Sequence, residues 1–246
     1  MRTLDKYFEE YTEVNGYTII KMIGEGTYGS AYLASDRNGE KFVVKQFKKE
    51  KLKYSRKVLD YEISVLNELD DPRFPKFITE FKDRYREGYI LKYIEGCTIR
   101  DLIEIDKPTF SKGEIYDFAA SLFDLVEILH NRNIVHRDIR LPNIIFNNKR
   151  ELCLIDFGVA KYLDNERYSK QEDYLHIGTV LINLYYSPIR MTVKENREWD
   201  TKLNLTDEER TFLKRLIGIN KKYESIYEIR EELEKIKKQI SLKEVI

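Results

Sequence analysis

From Tyr17 to Phe47 the chain passes through three short β-branched and aromatic runs, YTIIKMI, SAYLAS and KFVVKQF, and the first two are joined by Gly24-Glu25-Gly26-Thr27-Tyr28-Gly29. Runs of this kind read as strands, and joints this short make neighbouring strands antiparallel. The chain therefore begins as a meander, with Asn38-Gly39 suited to a tight turn between the second and third strands. A glycine-rich loop between a strand and a helix, with an acid about 20 residues later, would mark a dinucleotide-binding fold. Here the loop joins two strands, so that reading fails on context. Three absent side chains still allow backbone N–H groups to close on a phosphate.

After the third strand, Val58, Leu59, Ile63, Leu66 and Leu69 recur at helical spacing until DDPRFP breaks the pattern. Two more strand-like runs, KFITEFKD and GYILKYI, end at Glu95-Gly96. The prediction for the first lobe is a five-stranded antiparallel sheet with one helix. The remainder reads mostly helical. Ser111 and Glu114 form a capping box ahead of an apolar stripe of Ile115, Phe118, Ala119, Leu122, Val126 and Leu129. DYLHIGTVLINLYY, 173 to 186, is apolar on nearly every face and suits a helix at the centre of a domain. A second capping box, Thr206 to Glu209, opens TFLKRLIGI, and a last helix over 226–240 carries Glu228, Glu232, Lys235 and Lys238 on exposed faces.

Charge narrows the partners. Lys plus Arg number 43 and Asp plus Glu 43 in 246 residues, so there is no electrostatic case for nucleic acid or an anionic membrane. At 42% hydrophobic residues the chain has material for a sizeable core. Cys97 and Cys153 are too few for a disulfide framework, which makes a reducing cytosol the expected setting. The start, MRTLDKYFEEYTEV, lacks the apolar segment of a secretory leader, and no run of 18 apolar residues suggests membrane insertion. His130, His136 and His176 do not cluster with cysteines or carboxylates at zinc spacing.

The chemistry lies in residues spread along the chain. Lys45 sits mid-strand among apolar neighbours, where an ammonium is costly without a partner, and Glu62 on the next helix is the obvious one. HRDIRLPN, 136 to 143, places Asp138 and Asn143 five residues apart, and LIDFG, 154 to 158, adds Asp156. One carboxylate can orient a hydroxyl while an amide and another carboxylate hold magnesium, a division of labour that phosphoryl transfer requires.

With GEGTYG, VVK, HRD plus Asn143, and DFG in this order, the chain resembles the eukaryotic-type protein kinases over about residues 17 to 236, including the short Hanks-type kinases of bacteria. The resemblance implies an α+β, two-lobed fold, an antiparallel five-stranded N-lobe with one helix and a mostly helical C-lobe. It implies a single kinase domain over 1–246, with the N-lobe about 15–94 and the C-lobe about 95–246, and ATP in the cleft. Carried over, Gly24, Glu25, Gly26, Thr27, Tyr28 and Gly29 would cover the phosphates, and Lys45 would hold them, positioned by Glu62. Asp156 and Asn143 would bind Mg2+, and Asp138 would be the catalytic base. Arg140 replaces the lysine common near the transferring phosphate, turning a point charge into a planar fork. Ile23, Ala31, Val43, Leu91 and Ile145 would line the adenine pocket, and Lys92, Tyr93 and Ile94 would meet the adenine edge through backbone groups. Ala31 and Val43 exchange the sizes usual at their positions, a volume-conserving swap of the tolerated kind. His136, Phe157 and Leu66 resemble the spine that aligns the lobes, and Asp173 the aspartate that holds the HRD backbone.

Departures from the family concern the acceptor. Asp156 and Asp173 are only 17 positions apart, there is no Ala-Pro-Glu motif, and KKYESIYEI stands where an Arg-Pro segment is usual. The missing stretch normally builds the platform for a protein substrate. Arg137 often contacts a phosphorylated residue, for which Tyr162, Tyr168 and Ser169 are the local candidates. Eight basic residues and one acid between Lys41 and Lys57 form a solvated face or a dock for an acidic segment. The expected activity is ATP- and magnesium-dependent transfer to a protein hydroxyl, of serine or threonine. A small-molecule kinase of the aminoglycoside or choline type and a nucleotide-binding pseudokinase scaffold stay open as alternatives.

Overall fold

The first strand of the sheet is one that the β-branched pattern does not announce. In a computed structural model describing residues 6–164, 167–187 and 199–243, with the side chains of 50–55, 58 and 240–243 outside that description, β1 (Glu13–Val14) folds back on β2 (Tyr17–Glu25). Glu13 pairs with Thr18 and Val14 with Tyr17, so the turn is only Asn15-Gly16, with φ of 49° and 86°. Two successive positive φ values are what a type I′ hairpin needs, and Asn-Gly is the pair that tolerates them best. The sheet accordingly has six strands rather than five.

β3 (Gly29–Ser35), β4 (Lys41–Phe47), β5 (Phe77–Lys82) and β6 (Glu87–Lys92) complete it, in the order β1-β2-β3-β4-β6-β5, all antiparallel. α1 (Lys49–Asn67) connects β4 to the β5–β6 hairpin and buries Leu59, Ile63, Val65 and Leu66. Asn38-Gly39 does not form a two-residue turn. Residues 36–40 make a longer loop in which Asp36 accepts from the N–H groups of Asn38 and Glu40 and its own N–H donates to Glu40 O. Asp36 therefore supplies a local alternative to the ladder, as aspartate does in turns. The side chains of Lys51, Lys53 and Val58 lie outside the described residues.

One face of this sheet closes over Ile19, Tyr32, Ala34, Phe42, Val44, Phe81 and Ile90, joined by Phe8 and Val14 from the leading segment. The period of two fixes what the other face carries. Ala31 lies opposite Lys45 and Leu33 opposite Val43, while Val43 and Lys45 lie opposite Leu91 and Tyr89. These side chains share the second face.

Two compact units result, Met1–Glu95 with Ile155–Val159, and Gly96–Leu154 with Ala160–Ile246. The second contains β7 (Gly96–Thr98), α2 (Ile99–Ile105), α3 (Lys112–His130), β8 (Ile134–Val135), β9 (Ile144–Asn147), β10 (Leu152–Leu154), β11 (Lys161–Tyr162), α4 (Lys170–Tyr186), α5 (Trp199–Lys202), α6 (Asp207–Leu216) and α7 (Ile226–Lys243). Both expected capping boxes are present, on α3 and α6. Phe118 is only half buried, and Tyr116, Phe123 and Leu125 join the buried face of α3, which is wider than one stripe. α4 is buried on several sides, and Gly178 lets it approach α6 closely: a Cβ there would lie 2.9 Å from Leu216 Cβ. Among the described residues no helix is long and apolar enough to cross a membrane.

Candidate functional site

In the first unit the site begins at the turn between β2 and β3. Gly26 N–H donates to Gly29 O, leaving Thr27 and Tyr28 at the tip. A Cβ on Gly24 would meet nothing within 4 Å, and one on Gly26 only Gly29 O at 4.0 Å. Gly29 differs, because a Cβ there would fall 2.1 Å from Gln46 O on β4. Two glycines thus leave open space, while the third permits strand packing. Ile23 lies at a register irregularity between Met22 and Gly24 and is 45% exposed.

Lys45 leaves the middle of β4 on the face shared with Ala31, Val43, Tyr89 and Leu91. Its Nζ lies 2.7 Å from Glu62 Oε1 and 2.8 Å from Asp156 Oδ1, and 5.7 Å from the Tyr89 ring centre. Burial works against the ammonium, but Glu62, then Tyr89 and Asp156, outweigh it and hold Lys45 charged far above its ordinary range. Burial and the Glu62 charge push the Tyr89 phenol well up, so it stays protonated. Asp156 has φ of 67°, in the left-handed region that costs most residues energy but aspartate less. Phe157 is buried and packs edge-on against Phe74, at 5.9 Å. Leu66 is buried too. Phe74 and Tyr89 were not singled out in the sequence, since buried aromatics there look like ordinary core.

At the end of β6, Leu91 is buried and Lys92 and Tyr93 use their N–H groups on Lys76 O and Lys41 O. Lys92 Nζ pairs with Glu40 at 2.6 Å and Lys41 Nζ with Glu95 at 2.9 Å, so these lysines point to surface acids.

The second unit carries the other candidates. Asp138 Oδ2 accepts from Asn143 Nδ2 at 2.7 Å and from Arg140 Nε at 3.0 Å, and Asp138 N–H donates to His136 Nδ1 at 3.2 Å. Arg140, 60% exposed, therefore pairs with Asp138 itself. Asn143 spends its amide nitrogen on Asp138 Oδ2 and Asp138 O, which directs its remaining chemistry through the carbonyl oxygen. That oxygen, and the 43% exposed Asp156 carboxylate, are hard donors of the type magnesium takes. Ile145, on β9, is buried and opposite Cys153.

Asp173, on the first turn of α4, holds the HRD turn. It accepts from His136 N–H at 3.0 Å and Arg137 N–H at 2.8 Å, and His130 Nε2 lies 2.9 Å from Oδ2. A carboxylate only accepts, so Nε2 carries the proton. Arg137 sits at φ 67°, a strained value for a long side chain that these bonds maintain. Arg137 Nε donates to Glu172 at 2.6 Å and its guanidinium stacks 4.6 Å from the Tyr168 ring centre. His130 and Glu172 carry no motif and were not foreseen. Arg215 is engaged by Glu228 and Glu232 of α7, which are half buried rather than on a free face.

Comparison with known proteins agrees with this assembly of motifs. Residues 17–188 match the protein kinase domain family. The chain is 37% identical over 225 residues to the "Probable serine/threonine-protein kinase YbdM" of Bacillus subtilis (strain 168), covering 88% of each. It is 33% identical over 152 residues to a "Probable myosin light chain kinase" of Dictyostelium discoideum, covering 60% of this chain but 31% of that one. To the "Serine/threonine-protein kinase ppk11" of Schizosaccharomyces pombe it is 29% identical over 164 residues, covering 66% of this chain and 52% of that one. A lysine clamped by two carboxylates, an Asp–Asn pair on a strained turn and a family match over most of the chain have one common explanation: the chain belongs to the protein kinase family.

Proposed function

We propose that the chain transfers the γ-phosphate of magnesium-bound ATP to serine or threonine hydroxyls of protein substrates, acting as one kinase domain. The observation that carries this reading is Lys45 held between Glu62 and Asp156. A half-buried cation paired with a buried carboxylate, Glu62, and a more exposed one, Asp156, is costly to maintain for stability alone. It is well placed to exchange one carboxylate for phosphate oxygens while keeping the other. In this reading Lys45 holds the α- and β-phosphates, Glu62 positions it, and the turn 24–29 covers the phosphates. Asp156 and Asn143 would hold magnesium through their side-chain oxygens, and the ion would supply neutralisation of charge developing on the phosphoryl group. Asp138, oriented by Asn143 and Arg140, accepts the hydroxyl proton. Ile23, Ala31, Val43, Leu91 and Ile145 supply apolar contacts to adenine. With Lys92 and Tyr93 N–H committed, Ile94 supplies the N–H donor at its edge.

The serine/threonine preference rests on the names of the relatives in Bacillus and Schizosaccharomyces. The test is incubation with γ-labelled ATP and Mg2+ over a panel of protein acceptors, followed by phosphoamino-acid analysis, with Asp138→Asn as control. Label on phosphoserine or phosphothreonine, lost in Asp138→Asn, is the expected result. Label on tyrosine, or on small-molecule alcohols alone, overturns the acceptor assignment, and nucleotide binding without transfer would make the chain a scaffold.

A further inference from the structure

Residues 6–14 lie ahead of the segment matched by the kinase family, residues 17–188, yet they are built into the first unit. Phe8 is 6% exposed and stands edge-on to Tyr32 and Phe81, at 5.4 and 5.7 Å, under the Arg86 guanidinium at 4.0 Å. Its N–H donates to Tyr32 Oη at 3.4 Å, and buried Gln46 donates from Nε2 to Lys6 O at 3.0 Å. An aromatic anchor and two main-chain hydrogen bonds fix this backbone on the sheet. The residue between those anchored points is Tyr7.

Tyr7 Oη donates to Glu25 Oε1 at 3.2 Å. Glu25 stands between Gly24 and Gly26, where a carboxylate faces the electrostatic difficulty of sharing a short turn with an anionic phosphate chain. Lys48 answers it from the residue preceding α1. Its Nζ lies 3.0 Å from Glu25 Oε1 and donates to Gly26 O at 2.9 Å, while its N–H donates to Tyr28 O at 2.9 Å. The same lysine therefore neutralises the acid and grips the turn at two carbonyls, and α1 also carries Glu62.

We propose that Tyr7 and Lys48 are positioning residues that clamp Glu25, setting the glycine-rich turn for the nucleotide phosphates and cancelling the one negative charge within it. This inference rests on the kinase reading above for its ligand, but the clamp itself is a property of the free chain. The charge on Glu25 already records it: hydrogen bonds from Lys48 and Tyr7 hold its carboxyl below the ordinary range.

The test uses the full chain in two arms. In the first, calorimetry with Mg-ADP compares wild type with Lys48→Met, Tyr7→Phe, Glu25→Gln and the Lys48→Met/Glu25→Gln pair. Lys48→Met should weaken binding about tenfold at low salt and less at high salt, as for an exposed charge. Glu25→Gln should restore most of that loss, and KM for ATP should follow binding while kcat at saturation changes little. An unchanged Kd in Lys48→Met, or an equal loss with and without Glu25, overturns the proposal. In the second arm, without nucleotide, carboxyl-carbon NMR follows Glu25 against pH. Its titration should move up toward the ordinary carboxylate range in Lys48→Met and, by less, in Tyr7→Phe; no movement overturns the clamp. A wild-type chain that binds no Mg-nucleotide would overturn the kinase reading instead, and the nucleotide-free arm would still decide the clamp.

Discussion

A Cβ on Gly29 would sit 2.1 Å from the carbonyl oxygen of Gln46, far inside contact distance, whereas one on Gly24 would meet nothing within 4 Å. The three glycines of the turn therefore answer to different demands. Gly29→Ala should destabilise the fold by about 1–3 kcal/mol, the usual cost of overpacking against atoms that cannot yield. Gly24→Ala and Gly26→Ala should leave the melting temperature nearly unchanged and act on nucleotide affinity alone. Thermal melts beside nucleotide titrations separate these outcomes, and a stable Gly29→Ala would contradict the packing role. Gly88, whose Cβ would lie 1.9 Å from Lys45 O, should behave like Gly29.

Lys45 keeps Glu62 when Asp156 is neutralised, because the two carboxylates approach it separately. Asp156→Asn should thus retain stability and abolish transfer more severely than it weakens ATP binding, since a carboxylate in the proposed magnesium-holding role would act chiefly in the transition state. Asp138→Asn should lower kcat with little change in nucleotide affinity. Single-turnover rates with nucleotide Kd measurements check both. A transfer rate that survives Asp156→Asn would remove that residue from the machinery.

Ala31 and Val43 are not cross-strand partners. Ala31 faces Lys45 and Val43 faces Leu33, so the two are diagonal neighbours on one face. Coupling between them should then run through bound adenine. In a double-mutant cycle on ATP affinity, Ala31→Val with Val43→Ala should recover binding lost in Ala31→Val, with an interaction term of about 1 kcal/mol. The same cycle read by stability of the free chain should be nearly additive.

Arg137, which in this fold often awaits a phosphate, already holds the Glu172 carboxylate. A resident acid leaves little for phosphorylation to add, and the short stretch from Asp156 to Asp173 leaves little segment to order. Dephosphorylated protein, confirmed by mass, should transfer phosphate at nearly the rate of phosphorylated protein. Mutating Tyr162, Tyr168 and Ser169 together should change little, while Glu172→Gln should lower kcat. Activation of about tenfold, or 1.4 kcal/mol in the barrier, that depends on one of those hydroxyls would show that the segment switches.

Much of the fold was legible because it is written locally. Strand runs, capping boxes and the apolar helix 173–186 depend on neighbours within a turn or two, and the structure places them with shifts of a few residues. The Asn15-Gly16 hairpin is signalled by its turn pair alone, since its flanking strand has only two residues and shows no strand pattern. The loop at Asn38-Gly39 went the other way, because Asp36 captured the nearby N–H groups before a tight turn could close. Site residues inside motifs could be named from order and spacing. Their partners could not: Tyr89, His130 and Glu172 are recruited by strand register or helix packing, at sequence separations that no short pattern encodes.

Asp173 supplies the prediction most sensitive to pH. Burial alone would raise its carboxyl, but the hydrogen bond and charge of His130, the charge of His136 and the Arg137 N–H together lower it. A group whose value falls on folding stabilises the native state above its unfolded value, near 3.9, and loses that contribution as pH drops through the folded value. At pH 7, Asp173→Asn should therefore cost about 3 kcal/mol, because an amide cannot replace a charged acceptor for two main-chain N–H groups and an imidazole. The release should also relax the strained Arg137 turn and lower kcat. As pH falls below that unfolded value the unfolded chain takes up the proton before the native carboxylate does, and the stability gap between the two proteins should narrow. Urea unfolding of both at pH 7 and pH 3 provides the comparison. An equal gap at both values would mean that Asp173 acts through its shape and not its charge.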